Sequence, residues 1–534
     1  MKRFLMIAIA IMATTLADAT AASAPAGGVA GTGAGGAALA GVDDVWCGDL
    51  STFSIADGTI TNAEVVEAGA FTPPVAPGGR APSSASVSRT YGGLPSFCRV
   101  VATLRPTNDS NITVEVWMPL SGWNGKYQAV GNGAWNGAVR HGSMAAALAN
   151  GYATSSTDTG HIGNTAEFGL DHPEKVIDFG WRSIHLMAVL AKEVIAAHYD
   201  EDLRYSYWNG CSAGGRQAMK VAQDFPEDFD GIVAGAPGQD WSGRAAGALR
   251  VATFLESNQA AQLSQDDRLL VHAAAIRACD AADGLVDGII DSPDRCDFDP
   301  AVLECEGAKN GSCLTAAQVG TVRMLYSSPV NPSTNREITG LVPGSELNWT
   351  DLGWTRSARA TGLDLYRFLV YGDPSWTIDR FDFDTDIVKA EETDNETLNA
   401  LDPDLTPFFA RGGKLFAYHG WSDAQISPLN ATQYYERVVE AVGSAERVHD
   451  SYRLFMAPGM GHCGGGEGPS VFDKMEPIEA WVEEGRAPDQ VLATKFGPGG
   501  EVEIRRPLCA YPARAVYDGN GDPKREESFA CVAR

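Results

Sequence analysis

Apolar and polar residues alternate through Ile112 to Leu120 (ITVEVWMPL), which predicts a strand with one buried face. Lys126 to Gly137 (KYQAVGNGAWNG) starts the same way and then breaks into glycines, so a strand is expected to enter a loop there. Over Arg182 to Tyr199 the apolar spacing shifts to three and four, the period of a helix. Leu203 to Gly210 reads as a short aromatic strand, and Gly214 to Pro226 as a helix stopped by its proline. Phe229 to Gly238 is the next strand. The same rhythm resumes at Gly412 to Asp423, continues through a helix near Ala431 to Gly443, and ends in a strand from Ser451 toward Cys463. Strands alternating with helices in this way predict an α/β fold.

Between residues 240 and 405 the pattern is different. The stretch is loop-rich, holds Cys279, Cys296, Cys305 and Cys313, and scatters aromatics through Trp354 to Asp386. At roughly 165 residues it is too long for a connection and is expected to be an insertion that divides the core into 45–239 and 406–534. The chain begins with Lys2 and Arg3, an apolar run from Phe4 to Leu16, and small residues such as Ala17-Asp18-Ala19. That is the layout of a signal peptide, expected over 1–24, followed by a Gly/Ala-rich leader over 25–44. A secreted or periplasmic location follows as an expectation.

The 534 residues carry a net charge of -27, with no basic stripe to meet phosphates, so a nucleic-acid partner is not expected. No later segment is long and apolar enough to suggest a membrane partner. Ten cysteines in an oxidising compartment suggest disulfides. Proximity in sequence pairs Cys279 with Cys296, Cys305 with Cys313 and Cys509 with Cys531, with Cys47 to Cys98 as a fourth bridge. Cys211 and Cys463 are left over. No C-x-x-C spacing occurs, so zinc is not expected.

The chemistry centres on Gly210-Cys211-Ser212-Ala213-Gly214, a G-x-S-x-G frame between a predicted strand and a predicted helix. A serine is a weak nucleophile near neutrality and needs a base, a group orienting that base, and donors for the developing oxyanion. Loops after the last two predicted strands offer Asp423 (HGWSDAQISP) and His462 (APGMGHCGGG), in the chain order Ser, Asp, His of an α/β hydrolase. His419 competes as the base, Asp402 and Asp404 compete as the acid, and an ordinary turn serine is the reading without chemistry. Ala213 N–H would supply one oxyanion donor, and Gly133, or its neighbour Ala134, the second. The Gly131 to Gly137 loop misses the G-x-G-x-x-G frame, so no dinucleotide is expected. If Ser212 bonds His462, the adjacent Cys211 and Cys463 come within disulfide range; two unrelated buried thiols are the alternative.

Taken together, GCSAGG with Cys211 and Ser212, SD with Asp423, and GHC with His462 and Cys463 resemble the CS-D-HC pattern of the tannase/feruloyl esterase family. That family contains feruloyl esterases, tannases and mono(2-hydroxyethyl) terephthalate hydrolases. The resemblance runs from Cys47 to Cys531 and implies an α/β-hydrolase core, a lid formed by residues 240–405, five disulfides and a serine esterase activity. Between Cys279 and Cys296 the run CDAADGLVDGIIDSPDRC crowds four aspartates among glycines. Chemistry alone leaves a solvated acidic turn beside a Ca²⁺-chelating loop. The resemblance implies a structural Ca²⁺ held by Asp280, Asp283 and Asp287 and by the carbonyls of Leu285 and Ile289. DGNGDP (Asp518 to Pro523) reads as a tight turn.

The resemblance also implies a small aromatic ester as substrate, feruloyl and other hydroxycinnamoyl esters first, free or polymer-attached. Galloyl esters and terephthalate monoesters are alternatives within the same mechanism. Trp354, Tyr366, Phe368, Tyr371 and Trp376 could wall the pocket, although core packing is preferred for each taken singly. Trp135 is better placed, and Arg356, Arg359 and Arg367 are candidates to meet a substrate carboxylate. Two further readings remain at this point, a calcium-dependent binding protein that keeps the fold without catalysis, and an enzyme whose nucleophile is Cys211.

Overall fold

A computed structural model describes residues 47–75, 82–351 and 356–533. The expected signal peptide, the leader and Trp354 lie outside them, as do the side chains of Arg356 and Arg359. In chain order the elements that position the site are β1 (Gly58–Val66), β2 (Phe97–Leu104), β3 (Ile112–Pro119), β4 (Lys126–Val130), α1 (His141–Ala149) and β5 (Ala153–Thr157). Next come α2 (Ser183–Tyr199), β6 (Tyr205–Cys211), α3 (Ala213–Asp224), β7 (Gly231–Gly235), α4 (Trp241–Ser257) and α5 (Gln265–Cys279). The chain closes with β8 (Lys414–Gly420), α6 (Leu429–Val442), β9 (Tyr452–Ala457) and α7 (Met475–Glu484).

The nine strands form one sheet of order β1-β2-β3-β5-β4-β6-β7-β8-β9. Pairing is antiparallel from β1 to β5 and parallel from β5 onward. The central strands explain their own sequences. Every residue of β7 (GIVAG) and β9 (YRLFMA) is buried, because helices cover both faces of a parallel sheet and leave no polar side. Along β6, Trp208 faces the core built with α2 and α3, while its neighbour Tyr207 faces the core that holds Ile478 and Trp481 of α7. Period-2 alternation therefore serves two cores here. This is the expected α/β-hydrolase type of architecture.

Residues 236–413 connect β7 to β8, two adjacent parallel strands, so the insertion leaves and re-enters the sheet at neighbouring positions. Its helices are set by ordinary capping. Asp240 accepts the Gly243 N–H at the start of α4, and a reciprocal Ser264/Asp267 capping box opens α5. The insertion packs its own aromatic core, with Trp241, Tyr366, Trp376 and Phe381 buried together with Trp135 and Ala213. It falls in the same compact unit as the sheet. Among the described residues no helix is long and apolar enough to cross a membrane.

Candidate active site

Ser212 stands between β6 and α3 with φ 65° and ψ -119°, a conformation a serine adopts only where the surrounding chain enforces it. The glycines of the motif show what enforces it. A Cβ on Gly210 would lie 2.5 Å from the Gly214 carbonyl oxygen, and one on Gly215 would lie 2.3 Å from that of Gly235. The turn is too tight for any side chain at those positions, so the small residues around the serine are a packing requirement. Ser212 itself is half-buried and lines a cavity of about 790 Å³ together with His462, Gly133 and Asn132.

Asp423 and His462 come from the turns just beyond β8 and β9, on the same edge of the sheet as Ser212. His462 Nδ1 lies 2.8 Å from Asp423 Oδ2, and the Asp423 side chain is fully buried. The carboxylate also accepts the Gln425 and Ile426 N–H groups on Oδ1. Burial alone would raise this carboxyl, but the charge and hydrogen bond of His462, together with the bond from His419, outweigh it and hold the group well below the usual carboxylate range. Asp423 is thus ionised at any ordinary pH. The competing acids have other tasks: Asp402 accepts the Asp404 N–H and Asp404 the Thr406 N–H, both as local turn contacts.

Cys211 and Cys463 form a disulfide with Cα atoms 6.0 Å apart across a sequence separation of 252. The residue before Ser212 is therefore bonded to the residue after His462. The other four bridges pair Cys47 with Cys98, Cys279 with Cys296, Cys305 with Cys313 and Cys509 with Cys531, all as expected. With Cys211 in a disulfide it has no thiolate to offer, which removes it as a nucleophile.

Of the two expected oxyanion donors, Gly133 lines the cavity, and Ala213 directly follows Ser212 at the start of α3. Neither the Ala213 N–H nor the Gly133 N–H has a hydrogen-bond partner among the described residues. The Gly133 loop is fixed by its neighbour, since the Asn132 N–H donates to Gln217 Oε1, the Asn132 carbonyl accepts the Gly214 N–H, and the Asn132 side chain donates to the carbonyls of Ala138 and Thr157. Sequence reasoning missed Asn132 and Gln217. Gln217 on the first turns of α3 was the available signal, because a polar residue next to a predicted elbow has to be matched by something.

The cavity continues from Ser212 along α1 and α7, past Arg140, Asn150 and Tyr152 to Asp473, Glu476 and Glu479. Among the described residues, the aromatics expected to wall it lie elsewhere. Trp135 is buried against Phe179 and Trp241 and donates its Nε1–H to the Thr361 carbonyl. Tyr366, Tyr371 and Trp376 stack on one another inside the insertion, and Phe368 lines a separate cleft. Arg367 donates to the Trp376 carbonyl. Apolar rings on a loop-rich insertion have to build its core first, and that demand absorbed them.

The insertion also grips the His462 loop. His272 on α5 bonds the buried Glu346 through Nδ1 (2.8 Å) and Glu467, shortly after His462, through Nε2 (2.9 Å). Burial alone would lower this imidazole, but the two carboxylates push it up to about 9, so it is charged at neutral pH. Nearby, Asp280 closes the aspartate loop by accepting the N–H groups of Asp287 and Gly288. Asp283 accepts the Leu285 N–H and Asp287 the Ile289 N–H, and Gly284 and Gly288 take positive φ. Burial, then the like charges of Asp291, Asp287 and Asp280, push Asp283 up to about 6, while Arg506 pairs with Asp287. By charge and donor type these groups fit a hard cation. Their present rotamers spend oxygens on backbone donors, and among the described residues no three acidic, His or Cys side chains gather as a metal cage.

Comparison with known proteins agrees with this fold. The family model described as tannase and feruloyl esterase matches residues 98–532. An uncharacterized esterase of Xanthomonas campestris pv. campestris is 36% identical over 540 residues, covering 91% of each chain. A probable feruloyl esterase B-2 of Aspergillus terreus is 36% identical over 454 residues, covering 82% of this chain and 86% of its own. The crystal structure of feruloyl esterase B from Aspergillus oryzae superposes with a TM-score of 0.84 at 32% identity, covering 92% of this chain and 100% of that one. With a strained serine elbow, a matched family model over most of its length and relatives that are esterases, the chain belongs to the tannase and feruloyl esterase family and is a carboxylic ester hydrolase.

Proposed function

We propose that the chain is a secreted serine esterase of aromatic esters, with Ser212 as nucleophile, His462 as base and Asp423 as the group that orients the base. The observation that carries this reading is the 2.8 Å bond from His462 Nδ1 to a buried, ionised Asp423, with His462, the strained Ser212 and the Cys211–Cys463 bridge lining one cavity. With Nδ1–H committed to Asp423, His462 Nε2 is free to take the Ser212 proton as Oγ attacks the ester carbonyl. The N–H groups of Ala213 and Gly133 receive the negative charge that develops on the carbonyl oxygen. Collapse expels the alcohol with a proton from His462 and leaves an acyl-enzyme. A water activated by the same histidine then releases the acid. The disulfide fixes the two loops that have to meet, a case of preorganisation.

Relatives named as feruloyl esterases, at 32 to 36% identity, favour a feruloyl or related hydroxycinnamoyl ester as the acyl group. Five disulfides and the signal-like N-terminus favour an extracellular or periplasmic site of action. A Ca²⁺ at Asp280, Asp283 and Asp287, with the Leu285 and Ile289 carbonyls, would neutralise the aspartate loop and act on stability alone. The test is a hydrolysis panel of methyl ferulate, methyl gallate and mono(2-hydroxyethyl) terephthalate, run on the wild type and Ser212→Ala. Methyl ferulate should give the highest kcat/KM, and the variant should lose activity on all three. A variant that keeps wild-type kcat overturns the nucleophile, and a faster gallate or terephthalate ester overturns the acyl preference.

A further inference from the structure

His419 is the penultimate residue of β8 and is fully buried. Its Nε2 lies 3.1 Å from Asp423 Oδ2, the oxygen that also receives His462 Nδ1, and 3.1 Å from the Ile426 carbonyl. Its Nδ1 is buried with no partner among the described residues. Both neighbours of Nε2 are acceptors, so the proton is assigned to Nε2. A proton on Nδ1 would be a buried, unsatisfied donor. The ring therefore turns an N–H toward Asp423 and cannot reach the serine. We infer that His419 is a positioning residue of the esterase, a second imidazole that pins Asp423 Oδ2 in line with His462.

The inference rests on the triad reading above. An aspartate at a triad acts by holding its imidazole in one tautomer and orientation, and it does so only if its own carboxylate is fixed. On Oδ1, Asp423 is fixed by two backbone N–H groups of its own turn. On Oδ2, apart from His462 itself, His419 is the hydrogen bond present among the described residues. Without it the carboxylate can rotate toward the space the ring leaves, and His462 follows. The Ile426 carbonyl on the same Nε2 ties the ring to the turn that carries Asp423, so one N–H holds both the side chain and its loop. Gly420, next in sequence, lets the His462 loop approach: a Cβ there would stand 2.2 Å from the Met460 carbonyl oxygen.

The experiment compares His419→Gln, which keeps a donor near the Nε2 position, with His419→Leu, which removes it. Each is assayed for kcat, KM, melting temperature and rate of inactivation by an organophosphorus serine reagent on p-nitrophenyl acetate as substrate. The leucine variant should lose kcat by about tenfold or more, the cost of one charge-assisted bond at the transition state, with KM within about twofold. Inactivation should slow in parallel, and the acid limb of kcat/KM should move to higher pH because Asp423 loses a donor. Glutamine should recover most of the rate. A leucine variant with wild-type kcat, or equal losses in both variants that track melting temperature with an unmoved pH profile, overturns the positioning role. Ser212→Ala and Asp423→Asn serve as controls. If they retain activity, the triad reading fails; if they lose it while His419→Leu does not, only the present inference fails.

Discussion

Replacing His272 by glutamine removes one positive charge between Glu346 and Glu467 while keeping a hydrogen-bonding side chain of similar size. In the folded protein the two carboxylates push His272 from 6.5 to about 9, against the opposing effect of burial. That difference corresponds to about 3 kcal/mol in favour of the charged, folded state. The Glu467 side chain is 46% exposed, so solvent screens its part, and about 2 kcal/mol is the working figure. Because the folded value lies above the unfolded one, this stabilisation is complete below about pH 6.5 and is lost as the pH rises through about 9. Unfolding entropy near 2.1 cal/mol/K per residue over roughly 480 described residues gives roughly 1 kcal/mol per degree, hence a midpoint lowered by about 2 °C. Scanning calorimetry at fixed scan rate and ionic strength, from pH 6 to pH 10, should show that gap at pH 6 and its disappearance by pH 10. A constant offset at every pH, or a gap that widens with pH, refutes the charge-clamp account.

Asp423→Asn should lower kcat by about 10³ to 10⁴ with little change in KM, because the amide presents a donor to His462 and favours the wrong tautomer; steady-state kinetics decide it. Replacing Cys211 and Cys463 together by serine opens a loop of 252 residues, worth about 5 kcal/mol in the chain-entropy model and less in practice. That variant should melt lower and lose most of its activity, and a fully active one would refute the alignment role. Gly210→Ala places a Cβ 2.5 Å from the Gly214 carbonyl oxygen and should cost about 3 kcal/mol or abolish soluble expression. Chelation with EDTA should lower the melting temperature while leaving the initial rate unchanged, and an unmoved melting temperature would count against the calcium loop.

Much of the core was legible because a parallel sheet covered on both faces needs short, wholly apolar strands, and these are conspicuous between amphipathic helices. β7, β8 and β9 each fall inside the expected segment, and α2 and α3 begin within a residue of it. The boundaries drifted where chemistry competes with periodicity: β6 runs through Cys211, because the strand holds its pairing up to the strained serine. The aromatics of the insertion were the hardest to read. A ring that packs a core and a ring that lines a pocket have the same sequence signature, and only the fold told Trp135, Tyr366 and Trp376 from pocket walls. His419 was equally ambiguous, since a histidine near a candidate triad aspartate looks like a base until its nitrogens acquire neighbours.

The sequence by itself determined the order of elements, the elbow, the chain order of Ser212, Asp423 and His462, and the pairing of the cysteines that lie close together in the chain, because each follows from local spacing. Only the tertiary structure decided which oxygen of Asp423 each imidazole meets, that Cys211 pairs with Cys463, and which residues surround the cavity beside Ser212. These depend on distances between residues far apart in the chain. Hydrogen bonds and packing fix such distances only after the strands have aligned their ends on one edge of the sheet.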